Sequence, residues 1–173
     1  ANGNIVQVGN TVNEKTTAYA YDGLNRLTSE SNGTDTLSYT YDIGGNVTAV
    51  SKNNTVLHTY SYGNTNWKDQ LTAIDGKGIT YDQSGNPLSY DGQTYTWQRG
   101  TQLSGISDSE QTISFVYDAQ GNRSSKTVNS ATTNYLYSGD LLMRQTDGTN
   151  VIDFAYDSSG QAVGFKLNGT AYY

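Results

Sequence analysis

The residues whose type and spacing first suggest chemistry are five aspartates. Asp22, Asp42, Asp82, Asp118 and Asp157 each follow a tyrosine and lead into Gly-Asn or a relative of it. The forms are Asp22-Gly-Leu-Asn25, Asp42-Ile-Gly-Gly45-Asn46, Asp82-Gln-Ser-Gly85-Asn86, Asp118-Ala-Gln-Gly121-Asn122 and Asp157-Ser-Ser-Gly160-Gln161. Carboxylates beside glycine hold calcium in some loops, but neither the EF-hand loop nor the calcium-binding nonapeptide repeat is present. Paired acid–base catalysis needs one differentiated pair of carboxylates, and these are repeated equivalents. A structural role uses all of them alike. The Asp carboxylate accepts backbone N–H groups of a turn, and Gly supplies the positive φ that closes it.

The other chemical candidates are few. His58 is the lone histidine, in a polar stretch; a catalytic role needs positioned partners and a metal site more than one imidazole or thiolate, so it reads as an ordinary strand or surface residue. There is no cysteine, which removes a disulfide framework, a thiolate metal site and a Cys nucleophile. No catalytic residue, cofactor or metal site is expected. Trp67 stands apart in the irregular stretch Asn64-Thr-Asn-Trp67-Lys68-Asp69 and is the candidate for an exposed glycan contact. The sequons at Asn32, Asn46, Asn53, Asn122 and Asn168 matter only in a eukaryotic secretory route and follow from the Asn- and Thr-rich composition.

The elements that position the aspartates form a repeat. An aromatic or Ile, one intervening residue, then Tyr or Trp recurs at Tyr19–Tyr21, Tyr39–Tyr41, Tyr60–Tyr62, Ile79–Tyr81, Tyr95–Trp97, Phe115–Tyr117, Tyr135–Tyr137 and Phe154–Tyr156. Second members are 16 to 21 residues apart. A spacing of two puts both rings on one face of a strand. A second strand follows each turn, as in Val47-Thr-Ala-Val50, Leu71-Thr-Ala-Ile74 and Leu103-Ser-Gly-Ile106. A further turn then follows at Asn32-Gly33, Asn53-Asn54, Asp75-Gly76, Asp91-Gly92, Asp147-Gly148 or Asn168-Gly169. The prediction is an all-β antiparallel hairpin meander of about 16 short strands, one repeat array over 1–173, with the rings buried and stacked from repeat to repeat as the core. On that basis Tyr117→Ala is expected to cost about 3–5 kcal/mol.

Composition agrees. Gly (19) and Tyr (15) are abundant, while Pro, Met and His occur once each. Strand-favouring aromatics with small polar turn formers read as all-β. The net charge of −6 offers no basic patch for nucleic acid or an anionic membrane, and no apolar run reaches transmembrane length. The first residue is Ala1, and Ala1-Asn2-Gly3-Asn4 matches Ala119-Gln120-Gly121-Asn122, while Tyr172-Tyr173 reads as the start of another ring strand. The array is therefore expected to be truncated within a repeat at both ends of a longer parent.

Tyr41-Asp42-Ile-Gly-Gly-Asn46-Val47, Tyr81-Asp82-Gln-Ser-Gly-Asn86 and Tyr117-Asp118-Ala-Gln-Gly-Asn122-Arg123 resemble the YD repeat of the rearrangement-hotspot (RHS) proteins. That group includes bacterial polymorphic toxins, wall-associated proteins, the cocoon of insecticidal toxin complexes and animal teneurins. The resemblance covers the whole chain. It implies a sheet that spirals into a hollow shell, secreted or displayed on a bacterial surface, around a C-terminal toxin of the same parent chain. Carbohydrate binding is also associated with such repeats. Three turns depart from the pattern: Tyr62-Gly63-Asn64, Trp97-Gln-Arg-Gly100 and Tyr137-Ser-Gly139-Asp140. The family's Asp-Pro autocleavage segment and a toxin domain are absent from the sequence, so neither activity carries over. Expected partners are further repeats of the parent chain and its toxin, glycans, and other copies joined through sheet edges.

Overall fold

The computed structural model describes residues 3–12 and 15–173; Ala1 and Asn2, which carry half of the N-terminal turn match, lie outside that range. Every described element is a β-strand. The chain divides into two compact units, residues 1–80 and 81–173.

The first unit holds β1 (Gln7–Asn10), β2 (Lys15–Tyr21), β3 (Leu27–Ser31) and β4 (Thr36–Tyr41). It continues with β5 (Val47–Lys52), β6 (Thr55–Ser61), β7 (Ala73–Ile74) and β8 (Lys77–Tyr81), the last ending at the boundary. Each pairs antiparallel with the next. The second unit begins with β9 (Pro87–Tyr90), β10 (Gln93–Gln98), β11 (Gln102–Ser107), β12 (Thr112–Tyr117) and β13 (Arg123–Val128). It ends with β14 (Ala131–Ser138), β15 (Leu141–Thr146), β16 (Val151–Tyr156), β17 (Ala162–Leu167) and β18 (Thr170–Tyr172). These too pair in chain order. The 18 strands are the 16 of the sequence pattern plus β1 and β18, half a repeat at either end.

In all eight pairs, seven of two rings and the other Ile79–Tyr81, both members lie on one face. These members are half-buried, and the residue between them (Ala20, Thr40, Ser61, Thr80, Thr96, Val116, Leu136 or Ala155) is exposed. The strand period of two produces this directly. Strand pairing also carries a regular irregularity. In six hairpins the register shifts just before the second ring, leaving one extra residue on the partner strand: Thr28, Thr48, Ser104, Ser124, Met143 and Val163. Such bulges twist a hairpin locally and break its ladder.

The expected buried core is corrected by the structure. Among the described residues no apolar side chain is fully buried, and the one buried residue is Asn86, 8% exposed. Within each unit a strand contacts only the strands next to it in the chain, so the rings are covered only by those neighbours. The expected ring-on-ring ladder is likewise replaced. The recorded stack among the described residues is Phe165–Tyr172, with centroids 5.0 Å apart. Successive repeats are joined by the backbone ladder of their adjoining strands, to which phenol hydroxyls add a side-chain link.

Candidate functional site

The site that recurs is the tyrosine–aspartate turn. Asp42 shows its construction. The Gly45 N–H donates to the Asp42 carbonyl (3.2 Å) and the Asp42 N–H to the Asn46 carbonyl (2.9 Å), closing a type I-like turn followed by Gly45 at φ +94°. Asp42 Oδ1 accepts the Asn46 N–H at 2.9 Å, and Oδ2 accepts the Asn46 side-chain amide at 3.0 Å. Asp82 repeats this with Asn86 at 2.9 and 2.8 Å, and Asp118 accepts the Asn122 N–H at 2.9 Å beside Gly121. Asp157 accepts the N–H of Ser159 and Gln161, with Gly160 at φ +83°. In the Asp22 turn, Asn25 takes the left-handed place (φ +62°) and Arg26 that of the asparagine, its Nε 2.6 Å from Asp22 Oδ2. In the turns of Asp22, Asp42, Asp82 and Asp157, these bonds to the charged form hold the carboxyl below its ordinary range. The Asn46 and Asn86 amides are the first cause for Asp42 and Asp82, the Ser159 hydroxyl for Asp157 and the Arg26 N–H for Asp22.

In three turns the residue after the left-handed one, Arg26, Asn46 or Asn86, also reaches the next repeat, a role invisible in the sequence because its target is not part of the motif. Arg26 donates to the Asp42 carbonyl at 3.1 Å and lies over the Tyr41 ring at 4.6 Å. The Asn46 amide donates to Asp69 Oδ1 at 3.0 Å, and that of Asn86 to the Gly100 carbonyl at 2.6 Å. Arg99 makes the equivalent bond to the Asp118 carbonyl at 3.1 Å.

The second ring makes a parallel set of links. Its hydroxyl donates to the backbone carbonyl just before the bulged residue of the preceding hairpin. Tyr41 bonds Leu27 (2.6 Å), Tyr62 bonds Val47 (3.0 Å), Tyr117 bonds Leu103 (2.8 Å) and Tyr156 bonds Leu142 (2.9 Å). Tyr21 reaches Ile5 in the same manner at 2.9 Å. Two of the departures keep this link where they lose the turn: Tyr62 bonds Val47, and Trp97 donates its indole N–H to Pro87 at 2.7 Å. In the Tyr62 repeat Asn64 replaces the missing Asp, accepting the N–H groups of Asn66 and Trp67. Tyr137 leads into a two-residue turn at Gly139 (φ +59°) and Asp140, with Ser138 paired to Leu141.

At the opposite rim, a left-handed residue closes each two-residue turn and completes the neighbouring strand with its side chain. Asn53, Asp75, Asn129 and Asn168 have φ near +50°. Their Oδ1 atoms accept the N–H of Thr36, Thr59, Thr112 and Val151, while their own N–H groups donate to the same residues' carbonyls. Asn129 and Asp108, which begins a four-residue turn, carry no Asn-Gly or Asp-Gly signal and escape a search by dipeptide.

Trp67 sits on the 64–70 loop, 52% exposed. The His58 imidazole is an exposed partner of Asp75, 2.8 Å away. No group of three or more metal-ligating side chains occurs among the described residues, and no described helix is long and apolar enough to cross a membrane.

Comparison with known proteins bears on this architecture. The tRNA3(Ser)-specific nuclease WapA of Bacillus spizizenii is 35% identical over 164 residues, 88% of this chain and 7% of that protein. The tRNA nuclease WapA of Bacillus subtilis (strain 168) is 34% identical over the same shares. The chain thus spans about 7% of the length of these relatives. The crystal structure of TcdB2-TccC3-TEV superposes with a TM-score of 0.50 at 17% identity, over 91% of this chain and 9% of that one, a likeness of fold. The Teneurin YD-shell family model matches residues 1–173. With its turns, bulges and repeat-to-repeat bonds in that arrangement, this chain belongs to the Teneurin YD-shell family.

Proposed function

We propose that this chain is a non-catalytic scaffold, a stretch of wall in a YD-repeat shell. It is part of a larger secreted or surface-displayed bacterial protein and encloses a toxin segment of the same parent. The observation that carries this reading is where the motif's polar atoms are used. The carboxylates of Asp42 and Asp82 are bonded within their own turns, and Asn46, Asn86 and the tyrosine hydroxyls are bonded onward to adjoining repeats. A repeat built this way propagates a sheet. The short share of the WapA nucleases that it matches supports placing their activity in other parts of those chains. In the parent protein, the toxin segment is expected to resist protease while the array is intact. It is expected to be digested at the rate of the free segment once several second-ring tyrosines are replaced by alanine. Equal digestion in the intact parent would sink the reading.

A second reading, a glycan-binding module, has one observation in its favour: the indole of Trp67 is half exposed on a loop rich in asparagine. Retention on a glycan array that Trp67→Ala abolishes supports it. A folded sample with no retention removes it.

A further inference from the structure

One row across the sheet recurs three times with the same register and different chemistry. In the first unit the cross-strand partners run Tyr19, Glu30, Leu37, Lys52. The equivalent rows in the second unit run Tyr135, Gln145, Ile152, Leu167 and Tyr95, Ile106, Ile113, Val128. Beside each row a four-residue turn starts with Asn32, Asp147 or Asp108, whose Oδ1 accepts two N–H groups of the turn. The backbone therefore forms this corner equally well with neutral or wholly apolar residues in the row. The charges on Glu30 and Lys52 are not demanded by the fold.

In the charged version the corner is a concavity of about 220 Å³ lined by Thr17, Glu30, Asp35, Leu37 and Lys52, all within the first unit. Asp35 is engaged: Lys52 Nζ lies 2.8 Å from its Oδ2, and the Asn53 amide donates to its Oδ1 at 3.1 Å. Asn150 accepts from Asn168 in the same way at 3.1 Å, so that second bond is the structural one. Glu30 has no ion pair or hydrogen bond among the described residues, although it is half-buried between Tyr19 and Leu37. Its charge is felt nearby: the Tyr39 phenol is pushed up by burial first and by Glu30 second. A carboxylate partly out of water gains most from a charge-assisted partner.

We propose that this corner binds a primary ammonium group, with Glu30 as its counter-ion. Glu30, Asp35 and Lys52 sum to one negative charge, which a monocation neutralises and a second anion does not. The Thr17 hydroxyl and the Lys52 ammonium line the same concavity as polar groups for the rest of the ligand, and Leu37 supplies an apolar wall. The volume lies below that of pockets for drug-sized ligands and suits one sugar ring or the end of one side chain. The ammonium can come from an amino sugar or from a lysine. This site is independent of the scaffold reading and stands or falls without it.

The test follows backbone amide shifts of the ¹⁵N-labelled 173-residue chain on titration with glucosamine, N-acetylglucosamine and Nα-acetyl-lysine amide. The expected result is saturable shifts at residues 30–37 and 52 with glucosamine, with the lysine derivative, or with both, but not with N-acetylglucosamine, which lacks the charge. Whichever amine binds identifies the source. Glu30→Gln, which installs the side chain found at Gln145, is expected to weaken binding about tenfold or more. No shift with either amine, equal binding of N-acetylglucosamine, or undiminished binding by the Gln variant overturns the proposal.

Discussion

The hydroxyl of Tyr117 donates to the carbonyl oxygen of Leu103 at 2.8 Å, joining two hairpins at the point where the earlier one is bulged. Ser104 is the extra residue there, and the register shift at Thr96/Trp97 interrupts the ladder beside the Leu103 carbonyl. The tyrosine of the next repeat supplies a donor at that break. A single hydroxyl thus compensates for the irregularity that gives each hairpin its local twist.

Tyr117→Phe keeps the ring and removes only that donor. It is expected to lower unfolding free energy by about 1 kcal/mol, measured by urea denaturation. Tyr117→Ala also removes the ring; because the ring is half-buried and not in a closed core, about 2–3 kcal/mol is expected, below the cost predicted from sequence. A Phe variant as stable as the parent would show that the bond contributes nothing.

Asn129 tests the opposite rim. Its left-handed φ of +53° and its Oδ1 bond to the Thr112 N–H at 2.9 Å are separable. Asn129→Gly keeps the conformation and loses the acceptor, and is expected to cost about 1 kcal/mol. Asn129→Ala loses both and is expected to cost about 2 kcal/mol. Denaturation midpoints in the reverse order would contradict this division of roles.

Acid weakens the turns in a defined direction. Asp22, Asp42, Asp82 and Asp157 are held below the ordinary carboxylate value of 3.8 in the folded chain. Their contribution is complete above that value and is lost as pH falls through the lower folded-state values, because the unfolded chain takes up protons first. The urea midpoint is expected to be level from neutral pH down to about 5 and to fall below about 4. Asp42→Asn is expected to shallow that fall. Stability that rises on acidification would rule out the carboxylates as turn acceptors.

The sheet ends give a fourth expectation. β1 pairs with β2 and β18 with β17, and Val8, Tyr172 and Tyr173 at these ends are exposed. Unpaired strand edges recruit further strands. Mass by light scattering is expected to rise with concentration, and a monomer at all concentrations would contradict it.

Much of this was legible in the residues. Tyr39–Tyr41 and Phe115–Tyr117 show their common face because a strand alternates sides and the residue between them is free to vary. Asp42, Gly45 and Asn46 announce their turn because all its donors and acceptors lie within five residues. The links between repeats were hidden for the converse reason. The acceptor of Tyr117 is a main-chain atom 14 residues away, and that of Asn46 is an aspartate 23 residues away, so neither is written in a motif. Burial was misjudged because aromatic spacing reports which side a ring faces. What covers that side depends on elements packed across it, and within each unit the strands contact only their neighbours in the chain.

The central claim is that the second-ring hydroxyls of Tyr41, Tyr62, Tyr117 and Tyr156 each help bind one repeat to the one before it. Native-state hydrogen exchange on Tyr41→Phe tests it most directly. The expected result is lost protection in both the β4–β5 hairpin that carries Tyr41 and the β2–β3 hairpin that holds its acceptor, Leu27. Faster exchange confined to β4 and β5, with β2 and β3 protected as before, would contradict it.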